Sequence, residues 1–243
     1  MANNISRIWD TDPDSKPRER QFSSDIVGRF RSGRLVGKQP EALNEWRVTT
    51  GDPVVAAELA SLLGGEPEEW QTDREDNLEV LTESASVDII IESSDKLDAS
   101  MKLFGMSGLV HHCDGVEFLS PDEDKGEACG CPPLLQDRKD KARAGRGPKP
   151  SIDLQFKLAE KPELGVFRFN SGSWDLVKNL HNVIAAIDEY DGPVTATLVI
   201  DPVSYTTKSG RDVNYSRPLI TVTGAYAATA NADGDPEWLA KVA

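Results

Sequence analysis

The stretch from residue 152 to residue 200 places the tightest limits on what this chain can fold into. Ile152, Leu154, Phe156 and Leu158 alternate with polar residues, the period of a strand with one buried face. Val166, Phe167 and Phe169 form a second strand. The period then changes. In SWDLVKNLHNVIAAIDEY (173–190), Val177, Leu180, Ile184 and Ile187 make one helical stripe, joined by Leu176 and Val183. Ser173 is placed to cap that helix, and Gly192-Pro193 stops it. VTATLVI (194–200) and PLITVTGAY (218–226) return to strand character. A two-residue period and a 3.6-residue period side by side mean that strands and a helix are mixed in this stretch.

Upstream, the first 25 residues are polar and rich in turn formers, and read as a mobile arm. Ile26, Val27, Phe30, Leu35 and Val36 alternate with Arg29, Arg31 and Arg34 around two glycines, which predicts a short basic hairpin with a solvated arginine face. EWRVTT (45–50) is a strand. Asp52 follows as an N-cap with Pro53 at the first helical position, and Gly64-Gly65 closes the helix. Its apolar face is Val55, Leu59, Leu62 and Leu63. LEVLT (78–82), VDIIIE (87–92), MKLFG (101–105) and LVHHC (109–113) are further strands, and the unbroken VDIII core suggests burial on both faces. Residues 136–150, QDRKDKARAGRGPKP, lack apolar periodicity and read as a basic loop or linker between two α+β regions, 26–135 and 151–243. The expected fold class is α+β: a mainly antiparallel sheet, two main helices and a cysteine-rich metal-binding loop.

Charge limits the partners. The net charge is −14, and residues 41–100 carry three Lys/Arg against sixteen Asp/Glu. A chain that clamps DNA unaided needs a basic surface to displace counterions, and most of this one repels phosphate. Its long-range field favours a basic partner. Three cysteines, an odd number, make no disulfide framework and point to a reducing cytoplasm. The start, MANNISRIWD, lacks the basic and apolar regions of a secretory signal, and no apolar run has bilayer length, so no membrane association is expected.

The chemistry is concentrated in one place. His111-His112-Cys113 is followed, after an acidic loop, by Cys129-Gly130-Cys131-Pro132. Thiolates and imidazoles at two short ligand pairs suit a tetrahedral zinc ion, and Gly130 allows the tight backbone between the last two cysteines. If 109–113 is a strand, His111 shares a face with Cys113 and is the better fourth ligand, with His112 the alternative. Three thiolates make a closed, electron-rich site, which favours a structural zinc over a hydrolytic one. Asp122, Glu123, Asp124 and Glu127 read as solvated, and His181 as an ordinary helix residue. No HExxH, GxSxG or phosphate-cradling glycine loop is present, so no catalytic residue is expected.

RFRSGR (29–34), EWRVTTGDPVVAAELASLLGG (45–65), Trp70 through EDNLEVLT (75–82), HCDG and CGCP (112–132), and FRFNSGSW (167–174) occur in one order. In these linked motifs the chain resembles the recombination directionality factors that accompany large serine integrases of actinobacterial temperate phages. The resemblance implies a non-enzymatic protein in the cytoplasm of the bacterial host. Its partner would be a phage-encoded serine integrase, contacted near the coiled-coil region, with DNA reached only through the integrase. The implied effect is a switch from integration to excision, that is, to recombination of the prophage junctions attL and attR. It carries over no interface residues. The residues by themselves leave two other readings: a metal-dependent hydrolase, and a single-stranded-DNA-binding accessory protein using 29–34 and 138–149.

Overall fold

Strands form where apolar and polar residues alternate, and helices begin where a side chain can cap the first free amides. The computed structural model describes residues 26–37, 39–72, 74–207 and 210–227; the expected N-terminal arm lies outside them. Twelve strands and three α-helices are present among the described residues. In chain order these are β1 (Ile26–Val36), β2 (Gln39–Thr50), α1 (Pro53–Leu63), β3 (Pro67–Glu69), β4 (Leu78–Leu81), β5 (Ser86–Ile91), β6 (Leu97–Gly105), β7 (Gly108–Cys113), β8 (Phe118–Ser120), α2 (Leu135–Arg143), β9 (Lys149–Leu158), β10 (Val166–Ser171), α3 (Trp174–Asp188), β11 (Val194–Thr206) and β12 (Asp212–Ala225). Both expected caps are in place. The Asp52 carboxylate accepts from the Val54 amide at 2.8 Å, and the Ser173 hydroxyl accepts from the Leu176 amide at 3.2 Å.

The main sheet runs β12-β11-β5-β9-β10-β1-β2-β4-β3. Its pairings are antiparallel except β1 with β10, which are parallel. Strand β9 is the hub. One edge pairs with β10 through Phe156↔Phe167 to Ile152↔Ser171. The other edge takes two strands end to end: β5 at Leu158 and Lys157, then β6 from Leu154 to Lys149. Strands from 26–135 and from 151–243 therefore interleave in one sheet. The segment between them is not a plain loop or linker, because it contains helix α2 and runs directly into β9. Helix α2 buries only Ala142, so it carries no apolar stripe for a periodicity search to find.

The core is aromatic at its centre. Phe30 of β1 meets Trp46, Phe156 and Phe167 edge-on at ring-centroid separations of 5.8, 5.3 and 5.6 Å, and Trp46 meets Phe169 at 5.3 Å. Each such pair adds about 0.5–1.5 kcal/mol beyond the area it buries. Helix α1 packs against β2, β3 and β4 through Val55, Ala56 and Leu59, leaving Leu62 and Leu63 half-buried. Helix α3 packs against β12 and β9. It buries Leu176, Leu180, Val183 and Ile187, all of them on the expected apolar face, and leaves that face's Val177 and Ile184 half-buried at its margin. His181 is exposed. In VDIIIE, Ile89, Ile90 and Ile91 are all buried, as two covered faces require, while Asp88 is exposed.

Strands β6, β7 and β8 form a meander that leaves the main sheet along the first half of β9. This excursion carries the cysteines. Among the described residues no helix is long and apolar enough to cross a membrane.

Candidate metal centre

In β7 the side chains of His111 and Cys113 are two residues apart and share a face. Their cross-strand partners on β6 are Leu103 and Met101. Cys129 and Cys131 arrive from the far end of the acidic loop, which is not free but zipped. Asp114 accepts at Oδ1 from the Val116 and Glu117 amides at 2.7 and 2.8 Å, β8 pairs back onto β7, and Glu117 bridges to Ala128. These amide donors, Glu117 first, hold the Asp114 carboxyl below its ordinary value. The Cys129 amide then donates to the Val116 carbonyl at 2.9 Å, and Gly130 adopts φ +65°, a conformation that favours glycine.

The result is a cluster in which one donor atom from each of His111, Cys113, Cys129 and Cys131 lies within 4.8 Å of every other. Cys113 Sγ is 3.8 Å from Cys131 Sγ, which is 3.5 Å from His111 Nε2. A tetrahedral zinc ion with Zn–S of about 2.3 Å and Zn–N of about 2.0 Å has S–S and S–N edges of about 3.8 and 3.6 Å. The donor chemistry and spacing fit that ion. His112 does not join the cluster. It lies on the other face of β7, with Nδ1 2.9 Å from the Ser120 hydroxyl.

Burial sets the protonation of the donors. It pushes the Cys113 thiol up to about 12 and raises Cys131, while it lowers His111. Without a cation, the thiols hold their protons and the imidazole is already in its ligand form. A metal must displace the thiol protons, and its binding energy becomes folding energy.

The cluster has a small core of its own. Met101, Cys113 and Cys129 are buried, with Phe118, Cys131 and Trp174 packed around them. The Phe118 ring lies 4.7 Å from the His111 ring, and Trp174 is the first residue of α3, so the cluster is tied to the main fold. Helix α2 braces it from the other side. Arg138 donates through Nε to the Pro132 carbonyl at 2.5 Å and through Nη2 to the Gly115 carbonyl at 2.8 Å. One guanidinium thereby clamps the chain just after Cys113 and just after Cys131. A cavity of about 160 Å³ opens beside His111 and Cys131, with Arg138, Lys141 and Arg146 in its wall and no carboxylate.

The profile of the recombination directionality factor-like family matches residues 27–223. This chain belongs to that family. The match spans the main sheet from β1 into β12 and includes the whole cysteine meander, so fold and cluster lie within a single family match. No solved structure matches the chain.

The basic segments fare differently from the cysteines. The expected short hairpin of 26–36 is instead one continuous strand, β1, paired with β2; on it Arg31 donates to Asp76 at 3.0 Å and Arg34 to Glu41 at 2.7 Å, so two of its arginines already hold carboxylates. Arg138 and Gly115 were not found by sequence reasoning. In the sequence Arg138 is one of three arginines in a basic run and Gly115 a glycine two residues after Cys113, and nothing local connects them.

Proposed function

We propose that this member of the directionality-factor family binds a phage-encoded large serine integrase and switches it from integration to excision, acting in the host cytoplasm without catalysis of its own. The observation that carries the reading is the family match across nearly the whole described chain. The acidic character, with a net charge of −14, suits a basic DNA-binding enzyme as partner. His111, Cys113, Cys129 and Cys131 would hold a structural zinc, four protein donors leaving no position for a reacting water. When bound, that ion supplies folding energy to the meander and no reaction step.

The switch is a matter of differential binding. A ligand changes the outcome only if it binds the excision-competent arrangement of integrase subunits better than the integration-competent one. Converting nearly complete integration into nearly complete excision takes about 5.5 kcal/mol of such preference. The factor acts only while bound, so it must act stoichiometrically. The test titrates the protein against a fixed amount of cognate integrase on plasmid substrates. Junction recombination should rise, and recombination of the original phage and bacterial sites should fall, until the two proteins are equimolar. Saturation by trace amounts, or no junction recombination at any ratio, would refute the reading.

A further inference from the structure

Beyond the metal cluster, the β6–β7 hairpin continues outward and ends in a group of uncovered apolar side chains. Phe104 is 68% exposed, Met106 is fully exposed, Leu109 is 46% and Val110 59% exposed. Single exposed apolar residues need no explanation; four within seven residues at the end of a projecting hairpin do. The register skips Val110 and sets Phe104 opposite Leu109, and Gly105 pairs with Gly108 around the turn. Residues 103–110, LFGMSGLV, contain no charge.

The surroundings of the tip say what could cover it. Strand β8 runs back along β7 toward the tip, with Ser120 opposite His112. The turn that follows therefore lies beside the outer part of β7, and its Asp122, Glu123 and Asp124 are all exposed, with one exposed cation, Lys125, leaving the turn net acidic. Cations on the other edge, Lys102 opposite Lys149, stand farther back toward the sheet. An apolar tip bordered by carboxylates is repelled by phosphate, which disfavours nucleic acid and anionic lipid alike. It complements an apolar groove on a protein, rimmed by lysine and arginine.

Resting on the directionality-factor reading, we propose that the tip of the β6–β7 hairpin is the element that docks into such a groove on the recombinase partner. Phe104 and Met106 are its anchors. The metal cluster at the base of the hairpin fixes the direction in which the tip projects, and the acidic turn steers the encounter.

The experiment measures binding of full-length, zinc-loaded protein to immobilised integrase without DNA. The variants are Phe104→Ser/Met106→Ser and, as a comparison at another exposed apolar hairpin end, Leu35→Ser/Val36→Ser. The first variant should weaken binding at least about 30-fold, as loss of a hot spot does. Its zinc content and melting temperature should not change, because these side chains are exposed. The comparison variant should bind as wild type does. Glu123→Lys/Asp124→Lys should slow association several-fold at low salt and much less at high salt. Equal binding by wild type and the Phe104/Met106 variant, or loss of binding confined to the Leu35/Val36 variant, overturns the inference and leaves the proposed function standing. A wild type that sediments as a dimer beside a monomeric Phe104/Met106 variant overturns it in favour of a second copy of the chain. Failure of the wild type itself to bind the integrase removes both.

Discussion

Arg138 Nη2 lies 2.8 Å from the carbonyl oxygen of Gly115, and its Nη1 occupies the space that a Cβ on that glycine would need. Gly115 also holds φ +103°, outside the range that L side chains favour. The two residues are 23 positions apart, one in the loop after Cys113 and the other on α2.

Two substitutions test this contact. Gly115→Ala adds both backbone strain and a collision, and should destabilise the zinc-loaded protein by about 2–3 kcal/mol. Arg138→Ala leaves two carbonyls without their charged donor and should cost about 1.5–3 kcal/mol. Calorimetric melting should show each as a fall of several degrees, and the double variant should lose less than the sum, since the residues share one contact.

Metal content separates the two histidines. Wild-type protein should carry one zinc per chain by elemental analysis, and Cys113→Ser, Cys131→Ser or His111→Ala should lower both occupancy and melting temperature. His112→Ala should keep its zinc, because that ring bonds Ser120 on the far face of β7. Retention of full occupancy by His111→Ala together with its loss in His112→Ala would contradict the assigned donor set.

The buried ion pair in β2 and β4 should respond asymmetrically. Arg47 is buried, donates to Glu79 at 2.5 Å and stacks its guanidinium over Trp70 at 4.6 Å. Glu79→Ala strands a buried charge and should cost about 3 kcal/mol. Adding Arg47→Met to an apolar Glu79→Leu should recover most of that loss. Chemical denaturation of the single and double variants measures both.

Isolated protein should show no DNA affinity at physiological salt. The acidic 41–100 segment outweighs the basic patches at long range, and Arg31 and Arg34 are already engaged by Asp76 and Glu41. A gel shift with attachment-site DNA should be blank without integrase and supershifted with it. Tight binding by the isolated protein, weakening steeply with salt, would support a direct DNA-binding role instead.

Local chemistry was enough for much of this protein. Asp52 and Ser173 announce their helices because a cap is settled within three residues, and Ile152 to Leu158 announces β9 because alternation is a property of the strand itself. His111 was preferred over His112 for the same reason, since strand geometry alone puts it beside Cys113. What the tertiary structure decided are relations between distant segments. The parallel pairing of β1 with β10, about 140 residues on, and the two strands lying end to end along β9 leave no trace in any short window. Helix α2 escaped because it is held by a brace and a single buried alanine rather than by an apolar face. Burial of a charged, aperiodic segment against a loop 20 residues away is a three-dimensional fact, and only the folded chain brings Arg138 to Gly115.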